Sequence, residues 1–263
     1  MKKIHILLSA LILLSFSCRK IIDIELDDAD KRTAIDAKLV SGTHDFRVKV
    51  TKSGNFFGEN TVADITNATV VLTDENGSTT LTNIGDGYYE LQGYQAIANK
   101  TYSLSVTEGG TVYEATTTMP RIVEIDTISY IYEPASAFGD EGYRIYLEAD
   151  DPAGIDNYYR IELEFGGERY GTVEDLTLLD DQFTDGNPIV FPIFNADVAE
   201  LGDTVTMYLF SLDKQSYDYF LAIDELLFGD AATPANPKSN WNNNALGNFS
   251  GMAADTMTVI ITP

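Results

Sequence analysis

The sequence is poor in basic residues. Its 263 residues include 17 Lys and Arg against 41 Asp and Glu, which gives a formal net charge of −24 at pH 7. Non-specific nucleic-acid binding needs clustered Lys and Arg to displace counterions from phosphates, and docking on anionic lipid needs the same kind of charge. The composition therefore excludes non-specific nucleic-acid binding and disfavours charge-driven attachment to a lipid surface.

Cysteine and histidine are also scarce, with one Cys and two His in the whole chain. One Cys cannot form an internal disulfide, and no Cys or His cluster suits a conventional zinc site. His44 lies in a predicted turn, and no Gly-x-Ser-x-Gly elbow or phosphate-binding glycine motif accompanies it. We therefore predict no catalytic residue and no cofactor. A hydrolase that uses two carboxylates stays open, because the acids are too many to single out a pair.

The N-terminus has the pattern of an export signal. Lys2 and Lys3 precede an apolar run over residues 6–16, which is shorter than a membrane-spanning helix and has the length of a signal-peptide core. The run ends at Ser17 and Cys18, and a small residue before a lone Cys resembles a bacterial lipobox, in which the Cys is lipidated. We predict a signal peptide over 1–17, lipid attachment at Cys18 and a tether over 18–32. An ordinary secretory peptide is the alternative, although a free thiol in an exported protein would be reactive.

Alternation of apolar and polar residues dominates the rest of the chain. Ile35, Ala37 and Leu39 alternate with polar neighbours, and Asn76-Gly77 is typical of a tight hairpin turn. Short alternating segments separated by turns indicate an antiparallel sandwich. We predict a first β-sandwich domain over residues 33–120.

A second set of strands follows, and we predict a second β domain over residues 121–263. Residues 143–149 and 159–165 both alternate, and the turn between them predicts a hairpin. One segment departs from the pattern, because apolar residues repeat at intervals of three and four over about 215–228, which predicts a helix. The fold class is therefore all-β, with two sandwich-like domains and one inserted helix.

Two segments are candidates for recognition. Phe56 and Phe57 are adjacent aromatics in a glycine-flanked loop, and two consecutive side chains cannot both face a sandwich core. Trp241, Asn243 and Phe249 lie in a long Asn-rich segment whose amides and rings suit contact with a carbohydrate or peptide. The alternatives are a loop that folds back to cap the sandwich and an ordered loop whose Asn residues satisfy their own backbone.

Two Asp-rich turns are weak candidates for calcium. Asp150, Asp151 and Asp156 lie in the first turn, and residues 180–186 form a similar second turn. Calcium prefers several oxygens gathered from one loop, but neither turn matches the regular twelve-residue calcium loop. Asp also favours turns because it bonds the local backbone, and we expect that ordinary role.

Several short sequences occur together along the chain. They are Ile22-Asp23-Ile24-Glu25-Leu26 just after Cys18, Asn157-Tyr158-Tyr159-Arg160, and residues 53–57, 68–74, 113–116, 119–120, 236–240 and 245–249. Together they resemble the domain of unknown function 4249 family, uncharacterised outer-membrane lipoproteins of Bacteroidota. The first domain also resembles immunoglobulin-like or transthyretin-like modules, through residues 74–77, 87–89 and 101–102.

The resemblance implies a role beside TonB-dependent outer-membrane receptors, and it supplies no catalytic residue. We therefore expect a non-enzymatic lipoprotein, anchored to the outer membrane through Cys18, that assists ligand capture or uptake with such a receptor. The main alternative is a structural or adhesive surface protein, and a carboxylate-dependent hydrolase is the less favoured one.

Overall fold

The computed structural model describes residues 31–54, 62–135, 140–194, 196–228 and 236–263. In these ranges the chain forms seventeen β-strands and one helix. The predicted all-β fold with a single inserted helix is confirmed.

The strands are short and follow one another closely along the chain. In chain order they are β1 (Thr33–Val40), β2 (Gly42–Lys52), β3 (Ala63–Asp64), β4 (Thr69–Asp74), β5 (Gly77–Thr80), β6 (Thr82–Gly85), β7 (Tyr88–Ala96), β8 (Thr101–Glu108), β9 (Thr111–Thr118), β10 (Thr127–Glu133), β11 (Gly142–Asp150), β12 (Tyr158–Phe165), β13 (Glu168–Tyr170), β14 (Thr177–Asp180), β15 (Pro188–Pro192), β16 (Thr204–Leu212) and β17 (Phe249–Ile260).

The helix, α1, spans Lys214–Phe228 and matches the segment predicted from the apolar spacing. Asp213 caps its first turn, since the Asp213 Oδ1 atom accepts a hydrogen bond of 2.7 Å from the Ser216 amide. Ser216, Tyr217 and Phe220 form its buried face. Within the described ranges, no helix combines the length and apolar character needed to cross a bilayer.

The strands form three sheets. The largest has the order β13-β12-β16-β17-β1-β2-β7-β6, with β14 beside β12 and β3 beside β2. A four-stranded sheet has the order β5-β4-β8-β9, and a three-stranded sheet the order β10-β11-β15. Strand β17 pairs antiparallel with β16 and parallel with β1, so the largest sheet continues from one half of the molecule into the other.

Two hydrophobic cores lie against this shared sheet. The first contains residues of β1, β2 and β7 together with residues of the four-stranded sheet. Ile35, Ala37 and Leu39 are buried there while Asp36 and Lys38 are exposed, as the alternation predicts. The second core joins β12 and β16 to the three-stranded sheet. Each half of the molecule is therefore a sandwich of two sheets.

The predicted hairpin between residues 143–149 and 159–165 is wrong. These segments form β11 and β12, but β11 pairs with β10 and β15, whereas β12 pairs with β13, β14 and β16. The two strands face each other across the second core, because the connection between them carries the chain from one sheet to the other. Alternation correctly predicts which residues of β11 and β12 face the core. It does not determine which strands pair with each other in a sheet.

The end of the chain contributes to both halves. Trp241, Ala245, Phe249 and Ala253 belong to the first core, whereas Ile261 belongs to the second. The Thr117 hydroxyl of β9 donates to the Asp213 carboxylate at 2.8 Å, which ties the first sandwich to the residue that caps α1. The two sandwiches are therefore joined by a shared strand and by a direct side-chain contact.

Candidate functional site

A polar and aromatic cleft lies where the first turn of α1 meets the start of β12 and the end of β14. Its volume is about 430 Å³. The lining residues are Asp156, Tyr158, Asp180, Asp181, Gln182, Lys214, Tyr217, Asp218 and Leu221. We call this site the Tyr158–Tyr217 cleft.

The sheet register brings the cleft residues together. Tyr158 opens β12 and lies opposite Asp180 of β14 on one side and Leu212 of β16 on the other. Helix α1 begins two residues after Leu212, so Tyr217 in its second turn reaches the same edge of the sheet. The cleft is therefore built from the ends of β12, β14 and α1 together with the turns that adjoin β12 and β14.

Two tyrosines form the aromatic wall of the cleft. The rings of Tyr158 and Tyr217 have centroids 5.0 Å apart and are tilted by 38°. The Lys214 Nζ atom bonds both carboxylate oxygens of Asp218, at 2.7 and 2.8 Å, and lies 5.6 Å from the Tyr158 ring centroid. The tyrosine face is thus already placed against an ammonium group of the protein itself.

The charge of the cleft is mainly negative. Within the described part of the chain, Asp156, Asp180 and Asp181 make no salt bridge, and only Lys214 offsets the surrounding carboxylates. Burial, with a smaller contribution from Asp180, raises the pKa of Tyr217 to about 12. Burial also raises the pKa of Tyr158. Both phenols are therefore neutral at ordinary pH and present an O–H group beside the carboxylates.

An Asp cluster borders the cleft. Carboxylate oxygens of Asp151, Asp181 and Asp185 lie within 4.8 Å of one another. Asp151 accepts hydrogen bonds from the Tyr159 hydroxyl at 2.6 Å and from the Gly186 amide at 3.0 Å. The donor set is the one that a hard cation prefers.

Bonds from backbone amides of the opposite turn also account for these side chains. Asp181 accepts from the Asn157 amide at 2.9 Å, and Asp185 accepts from the Gly154 amide at 2.6 Å. These bonds fasten the two Asp-rich turns to each other, whereas the turn role expected from the sequence is a bond to the local backbone.

The predicted calcium residues do not lie together. Asp151 belongs to the Asp cluster, Asp150 is the exposed last residue of β11, and Asp156 lines the cleft. The cluster takes Asp181 and Asp185 from the second turn instead, because the two turns meet at the same end of the sandwich.

The Asn-rich segment serves the fold. Trp241 and Phe249 are buried in the first core, where their ring centroids lie 6.5 Å apart, and the Trp241 Nε1 atom donates to the Ile35 carbonyl at 3.1 Å. The Asn243 side-chain amide donates to the Val112 carbonyl at 2.7 Å. Neither buried ring is available at the surface for contact with a ligand.

The same segment covers a sheet edge. Strand β9 is the outermost strand of the four-stranded sheet, and an exposed edge of this kind invites pairing with other chains. The Asn242 amide donates to the Glu114 carbonyl at 3.0 Å, and the Asn242 side chain accepts from the Glu114 amide at 2.8 Å. The segment is thus an ordered loop, but the Asn242 and Asn243 side chains bond the backbone of β9, whereas the sequence interpretation had the Asn residues satisfy their own backbone.

Three other predicted residues lie outside the described residues: Phe56, Phe57 and the lipid-attachment residue Cys18. Sequence reasoning, in turn, missed Tyr217 and Gln182 as members of a site. The available signals were the two Asp-rich turns, which supply Asp156, Asp180 and Asp181, and the sequence Asn157-Tyr158-Tyr159-Arg160 that carried part of the family resemblance.

The chain matches a known protein family. A family model described as Domain of unknown function (DUF4249) matches residues 19–258. No curated protein matches the chain. The matched range begins immediately after Cys18 and contains the first core, most of the second core and the Tyr158–Tyr217 cleft.

Proposed function

We propose, from the premise that the chain belongs to the DUF4249 family, that it is a lipid-anchored outer-membrane protein that captures a small ligand and assists a TonB-dependent receptor. The proposed role is non-enzymatic. The lipid on Cys18 holds the protein at the membrane while the two sandwiches stand in water on the tether.

The N-terminal pattern supports the location. A basic start, a short apolar run and a lone Cys after a small residue are typical of an exported lipoprotein. The family match starts at residue 19 and leaves the predicted signal peptide outside the matched domain. The predicted tether, residues 18–32, precedes strand β1, which begins at Thr33.

The Tyr158–Tyr217 cleft is the observation that carries the ligand-binding role. Binding sites for small molecules are concave, contain aromatic surface and place a few polar groups at fixed positions. The cleft has a volume of about 430 Å³, two tyrosine rings, one amide side chain and several carboxylates. Its lining suits capture of a polar or cationic small molecule rather than an apolar one.

Isolation of the tagged full-length protein in mild detergent, at native expression, tests the proposal. A TonB-dependent receptor should co-purify with it. The matched control is Cys18→Ala, which should leave the membrane fraction and lose the receptor. Recovery of the unmodified chain as a monomer, without any receptor, would contradict the partnership.

A structural or adhesive role is the second candidate, and the shared strand β17 favours it. One continuous strand joins the two sandwiches, so the molecule suits use as a stiff spacer at the surface. Deletion of the gene distinguishes the two roles. A spacer predicts altered adhesion or envelope integrity with normal growth on defined nutrients, whereas a capture protein predicts slower growth when its ligand is the limiting nutrient.

A further inference from the structure

A second cavity adjoins the Tyr158–Tyr217 cleft, between α1, β14 and β15. Its volume is about 200 Å³. Tyr217 and Leu221 line both the cleft and this cavity, so the two are direct neighbours. We call it the apolar cavity, because most of its lining is apolar: Leu176, Leu178, Phe191, Pro192, Phe194 and Leu221.

Strand β14 and helix α1 run past both cavities. Leu178 lines the apolar cavity and Asp180 lines the cleft, and alternate residues of a strand lie on the same face. Leu179, between them, packs against the second core instead. Leu178 and Asp180 are separated by roughly 7 Å along the strand. On the opposite side, Tyr217 and Leu221 are four residues apart and lie on one side of α1. We call the two cavities together the α1–β14 groove.

The acidic end of the groove contains carboxylates that no cation of the described chain pairs with. Lys214 bonds both oxygens of Asp218, which neutralises that side chain. Asp156 and Asp180 make no salt bridge within the described ranges. Asp180 receives a long bond of 3.5 Å from the Tyr217 hydroxyl. A carboxylate can accept about four hydrogen bonds, so both side chains can accept from an ammonium group of a ligand.

The other end of the groove exposes hydrophobic surface. Phe194 is 67% exposed, and Leu178 and Leu221 are half-buried. The guanidinium carbon of Arg144 lies 5.3 Å from the Phe194 ring centroid. Removal of such apolar surface from water is favourable in proportion to the area covered. Asp224 is the acidic residue of this cavity, and its charge disfavours an anion. The groove therefore suits a molecule that is cationic at one end and apolar at the other.

We propose that the α1–β14 groove binds a small primary amine with an apolar tail. The ammonium lies between the carboxylates of Asp156 and Asp180, and the tail lies in the apolar cavity against Leu178 and Phe194. Bonds from an ammonium to a carboxylate are charge-assisted and are stronger than neutral ones. This inference rests on the ligand-capture role proposed above and names the class of ligand.

Calorimetric titration of the full-length protein in detergent tests the inference, with 4-phenylbutylamine as the probe and titration into detergent alone as the blank. Two control ligands each lack one feature. The alcohol 4-phenylbutan-1-ol has nearly the same shape and no charge, and butylamine has the ammonium and no ring. We expect saturable binding of 4-phenylbutylamine and at least tenfold weaker binding of each control. Absence of saturable binding, or equal binding of either control, would overturn the proposal.

Two variants assign the binding to the two ends of the groove. Asp156→Asn and Phe194→Ser both change exposed side chains and should each weaken binding of 4-phenylbutylamine at least fivefold. Circular dichroism checks the fold of each variant. The matched controls are Glu124→Gln and Ile131→Ser, which change exposed side chains outside both cavities and should leave binding unchanged. Unchanged affinity in either Asp156→Asn or Phe194→Ser would refute the assignment.

The titration and the isolation of the receptor complex fail separately. Binding of 4-phenylbutylamine without a co-purifying receptor would support the groove and contradict the proposed partnership. A co-purifying receptor without amine binding would support the partnership and contradict the proposed ligand class.

Discussion

Replacement of Gly247 by Ala should lower the free energy of unfolding far more than a glycine-to-alanine change at another position with a similar φ. Gly247 has a φ of +96°, and a Cβ atom built on it would lie 2.0 Å from the carbonyl oxygen of Ile35. That oxygen belongs to the backbone of β1, so no side-chain rotation relieves the overlap. A matched control exists in Gly85, which has a φ of +97° and no atom within 4 Å of its added Cβ.

The expected loss of unfolding free energy in Gly247→Ala depends on which contacts between the closing segment and β1 are broken. A side chain at such a φ costs about 1–3 kcal/mol on its own, and this is the whole cost expected for Gly85→Ala. In Gly247→Ala the closing segment must also move away from β1. It would lose the bonds from the Ile35 amide to the Leu246 carbonyl at 2.9 Å and from the Ala37 amide to the Asn248 carbonyl at 3.0 Å. It would also lose the bond from the Trp241 indole to the Ile35 carbonyl.

Three such bonds at about 0.5–1.5 kcal/mol each bring the total to about 2.5–7.5 kcal/mol. Total stabilities of about 5–15 kcal/mol make that loss large enough to leave part of the protein unfolded. Urea unfolding followed by the fluorescence of Trp241, the only Trp, measures the difference. If Gly247→Ala costs no more than Gly85→Ala, the close packing of the closing segment on β1 is refuted.

Three further predictions concern the cap, the cleft and the first core. Asp213→Ala should lower the free energy of unfolding by about 1–3 kcal/mol, because it removes both the helix cap and the Thr117 contact, whereas Asp213→Asn should cost less in the same urea titration. The pKa of Tyr217 is raised from 10.0 to about 12, so the neutral phenol stabilises the folded state fully below pH 10 and this stabilisation is lost as the pH rises towards 12. Unfolding titrations between pH 10 and 12 should therefore show a smaller loss of stability for Tyr217→Phe than for the unmodified protein. An equal loss would contradict the raised pKa. Trp241→Phe should cost about 1–3 kcal/mol by leaving the Ile35 carbonyl without its indole donor, and tyrosine fluorescence or circular dichroism should detect it; an unchanged midpoint would contradict the buried bond.

Periodicity predicted the elements because it reports local burial. Ile35 and Leu39 both face the first core because alternate residues of a strand lie on the same side of the sheet. Tyr217 and Phe220 both lie on the buried side of α1 because residues three apart in a helix lie on the same side. Such patterns contain no information on distant neighbours. The pairing of β11 with β15 instead of β12 is therefore a property of the assembled sheets, and the local turn does not reveal it.

The candidate site was harder to predict for the same reason. Asp156 lies in the turn before β12, Asp180 ends β14 and Tyr217 lies in α1. The register of β12 against β14 and β16 brings them together. Trp241, by contrast, was predicted to bind a ligand and is instead part of the core. A lone Trp in an Asn-rich segment has the composition of a binding loop, but the ring is buried because the segment closes the first core.

Mass spectrometry of the mature N-terminus tests the central claim most directly, because the proposed location and partnership both depend on the anchor. The account predicts a chain that begins at Cys18 and carries fatty acyl groups. A mature chain with an unmodified Cys18, or one that begins at another residue, would contradict the lipid anchor and the proposed place of the protein in the outer membrane.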